Sequence, residues 1–304
     1  MEYLAKIRMG TVLAVATASS AVIALLFGPI YGPVFAQISA QLSAQNRASD
    51  KPLNQAPVLN AQQIMSQSVA ATERSWDARD QYTYTELDED QRLDAMGNIK
   101  SKNVDFTRMI LVNGARFDQL VQHNGQAPSA SDQRQIDQDI EKLKHETPAE
   151  QAGRLRKDQD NRAFLHDALA GFDFQLIGED VVDGRPAYVI RASPHPGFHA
   201  SGKYGKVFNK VEGKLWIDKE DYGWIKVDGQ ITQPFSMGLF IARVQGGSHV
   251  VLDQTRVGDA VWVPKRLEVK ATATIFFFRT LGIDRILTYS DYLRAADGPY
   301  SVSK

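Results

Sequence analysis

Alternating apolar and polar positions run through most of the chain from Tyr82 to Leu293 and predict β-strands. Tight-turn signals separate these segments, among them Asn113-Gly114 and Asp183-Gly184, which are typical of two-residue hairpins. Such turns join neighbouring strands directly, so we expect antiparallel pairing. The predicted strands include "QYTYTEL", "NVDFTRMILV", "ARFDQLVQH", "FDFQLIGEDVV", "PAYVIRA", "KLWIDKEDYGWIKVDGQIT", "GLFIARVQ", "SHVVLDQTRV", "AVWVPKRLEVKATATIFFF" and "IDRILTYSDYL".

A helix is predicted before the first strand, because apolar residues there recur at helical spacing. Asn60 followed by Gln63 predicts a capping box, which opens an amphipathic helix that ends before Tyr82. Its apolar stripe contains Met65, Val69 and Trp76.

The segment from Ser131 to Leu169 interrupts the strands with helical spacing at Ile136, Ile140 and Leu143. A second helix is predicted at "TPAE", residues 147–150, because this is a capping box with proline at the first helical position. Strands and helices do not alternate, which excludes a parallel sheet. The prediction is an α+β fold with about eleven strands in one extended antiparallel sheet.

The strand "VKATATIFFFRT", residues 269–280, is unusual because its apolar face narrows to methyl groups. Val269, Ala271, Ala273, Ile275 and Phe277 share this face, where a tightly packed sheet would carry larger residues. One interpretation is that the alanines leave space in a concavity of a curled sheet. The other is that a covering helix approaches closely at these positions, and both can hold together.

Two further features of the strands leave alternatives open. Val104, Phe106, Arg108, Ile110 and Val112 share one face, and we interpret this face as inward. Arg108 would then bind a lid carbonyl or a lipid headgroup inside an apolar wall, whereas outward it would be a solvated charge. Residues 276–278 are all phenylalanine. We expect them either at the rim of the sheet, in contact with lipid or a lid, or packed beneath a helix.

The N-terminus predicts export. Lys6 and Arg8 precede an apolar run from Met9 to Phe35, and "VFA" at 34–36 resembles a signal-peptidase site, so residues 1–36 are interpreted as a cleaved signal peptide. An uncleaved membrane anchor is the alternative, since the run is long enough to span a bilayer. Residues 37–59 are rich in Gln, Ser and Ala and are interpreted as a flexible linker. Both interpretations place the remaining chain outside the cytoplasm, in the periplasm or beyond it.

Composition excludes several classes of function. There is no cysteine, which rules out disulfides and thiol chemistry, and 35 basic residues balance 36 acidic ones, which argues against nucleic acid as a partner. His195 and His199 are separated by Pro196 and Gly197, which forbid the helix needed to join both rings to one metal. No phosphate loop, dinucleotide fingerprint or nucleophile elbow is present. We therefore predict no enzyme activity, no catalytic residues, no cofactor and no metal.

Two charged segments were interpreted as solvated. The acidic run "ELDEDQRLD", residues 86–94, is predicted to form a hairpin turn at the surface. The lysines at 203, 206, 210 and 214 form a basic cluster in a predicted loop. This cluster suits either plain solvation or contact with anionic lipid headgroups.

Four segments carry a resemblance to a known family: "RDQYTYTE", "GEDVVDGRPAYVIRASP", "GKLWIDKEDYGWIKVDGQ" and the closing "VWVPKRLEVKATA" with "YSDY". In their order and texture they resemble the periplasmic LolA-like, outer-membrane lipoprotein-sorting proteins, over roughly Gln62 to Tyr292. The resemblance implies an incomplete antiparallel β-barrel whose concave face is covered by helices and holds acyl chains. The helical insertion at 131–169 is longer and more charged than such a carrier needs.

The sequence thus predicts one half-barrel domain at 60–296, followed by a tail at 297–304. Its expected function is the carriage or binding of lipid or acylated protein, with lipoprotein as the leading cargo and a membrane-associated acceptor as a further candidate partner. A lipid-sensing or structural protein-interaction module on the same scaffold is the alternative. The candidate cavity residues are Tyr82, Tyr84, Val104, Phe106, Arg108, Ile110, Trp216, Trp224, Val269, Ala271, Ala273, Ile275 and Phe277.

Overall fold

The computed structural model describes residues 59–198, 208–237, 242–258, 261–275, 279–295 and 301–302. The predicted signal peptide lies outside these ranges, as do residues 37–58 of the predicted linker and Phe277 with its two phenylalanine neighbours. In the described ranges, no helix combines the length and the apolar character needed to cross a membrane.

One sheet of 13 strands organises the molecule. Its main path runs β13-β2-β1-β12-β11-β10-β7-β6-β5-β4, with β3 paired to β2, and β9 joining β8 to β11. All pairings are antiparallel except that of β13 with β2. The strands are β1 Tyr82–Leu93, β2 Ile99–Val112, β3 Ala115–His123, β4 Phe172–Val182, β5 Arg185–Pro194, β6 Val211–Asp218, β7 Trp224–Ile231, β8 Phe235–Met237, β9 Ala242–Val244, β10 His249–Val257, β11 Val261–Ile275, β12 Arg279–Arg294 and β13 Ser301–Val302.

The sheet is open rather than closed. Within the described ranges, β4 pairs only with β5, and β3 pairs only with β2. This confirms the predicted incomplete antiparallel barrel of an α+β fold. The predicted number of about eleven strands is lower than the observed number, because β8 and β13 are only three and two residues long and too short to show a period, whereas β9 lies within the predicted segment "GLFIARVQ".

The structure contains the helices that the capping signals predict. Helix α1 is Ala61–Arg79, α2 is Ala130–Lys144 and α3 is Pro148–Gly171. Asn60 and Gln63 form a complete capping box at α1, and Thr147 and Glu150 form another at α3. These boxes satisfy backbone donors that a helix start otherwise leaves free.

Both predicted two-residue hairpins are confirmed. Asn113 and Gly114 have φ values of 50° and 72° and connect β2 to β3. Asp183 and Gly184 have φ values of 50° and 79° and connect β4 to β5. Asparagine, aspartate and glycine tolerate this left-handed backbone, which is why they mark such turns.

Helix α1 lies against one face of the sheet, which we call the inner face. Its Ile64 and Met65 pack with Ile190 of β5 and Ile217 of β6 in one apolar cluster. Further along α1, Val69 and Trp76 are buried as the predicted stripe requires, and they pack against Trp224 of β7 and Leu169 of α3. Helix α2 instead contacts β2 and β3.

The acidic run at 86–94 was predicted wrongly as a turn. Residues 86–93 belong to β1, and the turn begins only at Asp94, whose carboxylate accepts from the backbone N–H groups of Met96 and Asn98. The physical reason is that β1 pairs along its length with both β2 and β12. Neighbouring strands on both sides stabilise an extended conformation that the local charge density disfavours.

Candidate ligand-binding face

The inner face contains a row of very small residues on three neighbouring strands, and Ala192 of this row packs in the same cluster as Ile64 and Met65 of α1. Ala192 of β5, Gly213 of β6 and Gly229 of β7 lie opposite one another on successive strands. Residues directly opposite in an antiparallel pair share a face. The row continues to Val250 of β10 and Val269 of β11, which belong to the main apolar cluster.

Gly229 lies in this row at a position that few described atoms surround. The residue is buried, yet of the described atoms only the Val250 carbonyl oxygen lies within 4 Å of where a Cβ would stand, at 3.9 Å. A tightly packed sheet would fill such a position with a side chain. Gly213 differs, because its Cβ would stand 2.4 Å from the Asp228 carbonyl oxygen, so glycine is required there for close approach of β6 to β7.

The alanines of β11 lie on the same inner face. Ala271 is 7% exposed and Ala273 is 1% exposed. Their neighbours across the strands are Ile283 and Leu281 of β12. The larger apolar cluster around Ala271 consists of sheet and loop residues, namely Tyr84, Met109, Ile231, Phe235, Val244, Val250, Leu252, Leu267, Val269, Ile283, Leu287 and Tyr289.

A group of charged side chains adjoins this apolar surface, and we call it the inner charged cluster. Strand register places all of its members on the inner face, since each shares it with Leu287 or Tyr289 of β12 or Met109 of β2. The inner charged cluster consists of Glu86, Asp88, Asp90, Arg92, Asp118 and Arg285.

Ion pairs hold most of the inner charged cluster together. Arg285 donates through two nitrogens to Asp88, at 2.8 Å to Oδ1 and 2.5 Å to Oδ2. Arg92 pairs with Asp90 at 2.8 Å. These side chains are between 12% and 18% exposed, so water screens the pairs only weakly. Such pairs fix the direction of long side chains on a sheet face that also carries aliphatic groups.

Burial raises the pKa values of three carboxyl groups in this cluster, those of Glu86, Asp90 and Asp118. Burial raises the pKa of Glu86 from 4.5 to about 7, and the charges of Asp118 and Asp88 raise it further than Tyr289 and Arg285 lower it. Burial also raises the pKa of Asp118, although this residue keeps access to solvent. The shift of Glu86 indicates that its carboxyl group is less hydrated than it would be on an open surface.

The arrangement suits an amphiphile. Arg285 lies between Ile283 and Leu287 along β12, and it stands opposite Val269. An apolar chain over Ala271 and Ala273 of β11 would therefore bring a polar group to Arg285 on the neighbouring strand β12. Among the described residues, no three histidine, aspartate or glutamate side chains are arranged to hold a metal ion.

Several residues predicted for the cavity lie on the inner face. Tyr84, Val269 and Ala271 belong to the main apolar cluster there, and register adds Ala273 and Ile275. Trp224 lies beneath α1 and α3. Tyr82 packs with Val261 and Val263 in a separate cluster near the end of α1. Their role in binding a ligand stays a prediction.

Other predicted residues lie on the opposite, outer face. Arg108 stands opposite Thr85, whereas Met109 stands opposite Tyr84 of the inner face, so the interpretation that turned Arg108 inward is wrong. The reason is that both rows of β2 are apolar near its end, and only pairing decides between them. Val104, Phe106 and Ile110 share the outer face with Arg108. Trp216 is also on the outer face, where its Nε1 donates to Asp180 at 3.0 Å.

Sequence reasoning missed the inner charged cluster and the paired glycines. Glu86, Asp88, Asp90 and Arg92 recur with a period of two, which was the available signal for one face of a strand. Gly213 and Gly229 carry no such signal, because only the register of β6 with β7 brings them together.

Comparison with known proteins finds likenesses among solved structures. No family model and no curated protein matches the chain. A LolA superfamily protein from Nitrosomonas europaea is 11% identical, with 79% of this chain and 96% of that chain covered and a TM-score of 0.32. A DUF1329 family protein from Desulfovibrio piger is 10% identical, with coverage of 77% and 93% and a TM-score of 0.30.

A third likeness is to an outer membrane lipoprotein-sorting protein domain from Vibrio parahaemolyticus. It is 10% identical, with 75% of this chain and 92% of that chain covered and a TM-score of 0.28. Proteins described as LolA superfamily members and lipoprotein-sorting domains are thus among the solved structures similar to this chain, as the resemblance in its sequence predicted.

Proposed function

We propose that this protein is a non-enzymatic, extracytoplasmic binder or carrier of acylated molecules, with lipoprotein or lipid as its cargo. The acyl chain lies along the inner face over Gly213, Gly229 and the alanines of β11. The polar group of the ligand meets the inner charged cluster. The observation that carries the proposal is the position of Gly229, which is buried in an apolar surface although no described side chain lies within 4 Å of where its Cβ would stand.

The energetics favour this use of the inner face. Each methylene group moved from water into an apolar hollow contributes about 0.8 kcal/mol, so a chain of ordinary lipid length binds without any catalytic group. Small residues stabilise the free protein less than large ones would, since they bury less apolar area. A binding role accounts for their presence where a sheet core normally carries valine, isoleucine or leucine.

A second candidate is a protein-interaction module on the same scaffold. It is favoured by β4, which pairs on one side only within the described ranges. Two apolar residues of this strand are exposed, Val181 at 65% and Ile177 at 37% of their surface. An unpaired edge with exposed apolar side chains accepts an added strand from a partner. This module would bind no lipid, so the experiment below separates the two candidates.

Replacement of Gly229 by leucine should weaken ligand binding at least about tenfold, because the side chain enters the volume that the acyl chain needs. Gly229→Ala, which adds only a Cβ, should bind nearly as the wild type does. The measurement is displacement of a fluorescent fatty acid, together with mass spectrometry of lipid that co-purifies with the protein. Ala273 is less suitable for this test, since a large side chain at a position only 1% exposed would overpack the core.

Thr272→Leu is the matched control, because it adds an apolar side chain of similar size to the exposed face of β11. It should leave binding unchanged. Circular dichroism must show the same fold for all variants. Wild-type protein that neither carries lipid nor binds the probe would contradict the carrier and leave the interaction module. A folded Gly229→Leu variant that binds as tightly as the wild type would place the ligand elsewhere.

A further inference from the structure

A polar cavity lies on the outer face of the sheet, beside the row of small residues, since Ala192 and Gly213 of that row are among the residues that line it. Its volume is about 350 Å³, and β5, β6, β7 and β10 build it. Register places its side chains in two outward rows: Arg191, Lys214 and Asp228 form one, and Glu212, Gln230 and His249 form the other. The backbone of Gly213, between the rows, lines the cavity without a side chain.

Two cations stand side by side at one end of this cavity. Arg191 of β5 is directly opposite Lys214 of β6, an arrangement in which like charges repel. Within the described residues, neither side chain forms an ion pair at 4.0 Å or less. Arg191 donates only to the neutral amide oxygen of Gln175, at 3.3 Å. A negatively charged ligand group would relieve this repulsion.

The nearest carboxylates do not neutralise these cations. Asp228 is opposite Lys214 across β6 and β7, but its Oδ1 is 2.6 Å from Nε2 of His249. Glu212 lies in the second row and is exposed. The cavity therefore has a cationic end at Arg191 and Lys214, and an accepting end at Glu212 and Asp228.

We infer that the outer cavity binds a small organic anion that carries hydroxyl groups, such as a glycerol phosphate group. Arg191 and Lys214 bind the anionic oxygens, for which a planar guanidinium and an ammonium are suitable donors. Glu212 and Asp228 accept hydrogen bonds from the hydroxyl groups. A volume of about 350 Å³ exceeds what a bare phosphate fills and lies within the range of small-ligand sites. The anion is either free in solution or the headgroup of an anionic lipid.

Calorimetric titration of the full chain tests this site. Glycerol 3-phosphate should bind more tightly than inorganic phosphate, and uncharged glycerol should not bind measurably. Arg191→Gln and Lys214→Gln should each weaken the binding of glycerol 3-phosphate by about tenfold or more, since each substitution removes a charge-assisted hydrogen bond. Glu212→Gln should reduce the preference for glycerol 3-phosphate over phosphate. Added salt should weaken binding by the wild type.

Lys100→Gln is the control for loss of one positive charge, because Lys100 is exposed on β2 and outside the cavity. Co-sedimentation with phosphatidylcholine vesicles, with and without phosphatidylglycerol, separates the two sources of the anion. Vesicle binding that depends on Lys214 identifies a lipid headgroup, and binding of glycerol 3-phosphate alone identifies a free anion. The inference is overturned if no anion binds in either form, or if Lys214→Gln binds as Lys100→Gln does. Fatty-acid binding at the inner face is measured separately and does not depend on this outcome.

Discussion

Arg285→Met should lower the free energy of unfolding by about 3–5 kcal/mol, the usual cost of removing one partner from a buried ion pair. Arg285 and Asp88 are joined by two hydrogen bonds, and their side chains are 18% and 12% exposed. Loss of the guanidinium leaves the Asp88 carboxylate buried beside Glu86 and Asp90. Like charges and poor hydration then act together against the folded state.

Urea unfolding of the purified protein at neutral pH measures this effect. Arg266→Met is the matched control, because Arg266 pairs with Glu268 at 2.7 Å but is 38% exposed. A pair of that kind contributes about 1 kcal/mol or less. The double replacement of Asp88 by leucine and Arg285 by methionine should recover much of the lost stability, since no unpaired charge remains. Equal losses in Arg285→Met and Arg266→Met would show that the inner charged cluster is hydrated like a surface.

Local signals predicted those parts of the fold that depend on few neighbouring residues. The capping boxes at Asn60 and Thr147 and the turns at Asn113 and Asp183 each involve contacts within about four residues. Their side chains satisfy backbone groups or tolerate positive φ wherever they occur. The apolar stripe of α1 could be predicted from the sequence equally well, because Val69 and Trp76 must share a face in any helix.

Register between distant strands accounts for what the sequence did not predict. Arg285 and Asp88 are separated by 197 residues, so nothing in the local pattern of either strand identifies the pair. The face of Arg108 was undetermined for a related reason. Both Met109 and Ile110 are buried in β2, and only the pairing of Met109 with Tyr84 shows which row faces inward.

The candidate site combines one predicted and one unpredicted component. Ala271 and Ala273 were recognisable because small residues interrupt an otherwise apolar strand face. Gly229 could not be recognised as part of the site, since a glycine within a strand also marks bulges and close approaches of the backbone. Only the folded structure distinguishes the two glycines: a Cβ at Gly213 would stand 2.4 Å from the Asp228 carbonyl oxygen, whereas the nearest described atom to a Cβ at Gly229 is 3.9 Å away.

Glu86→Gln should stabilise the protein by about 3 kcal/mol above pH 7 and have little effect near pH 4, from about 1.4 kcal/mol for each pKa unit. Burial first, and then Asp118 and Asp88, raise the pKa of Glu86 from 4.5 to about 7. Between these values the folded state binds more protons than the unfolded state, so the contribution of Glu86 to stability falls as the pH rises. Glutamine keeps an acceptor for Tyr289 and cannot ionise, and it therefore removes this loss.

The difference between the unfolding free energies of Glu86→Gln and the wild type, measured from pH 4 to pH 8, isolates this one group. All other titrating groups contribute to both proteins and largely cancel. Glu89→Gln is the control, because Glu89 lies on the outer face of the same strand, 3.6 Å from Lys102. A flat difference curve for Glu86→Gln would place Glu86 in bulk water. Arg285 lowers the pKa of Glu86, so Arg285→Met should raise that pKa further and move the fall in stability to higher pH. In the proposed binding mode, the polar group of a ligand at the inner charged cluster would therefore meet a neutral or a charged Glu86, depending on the pH.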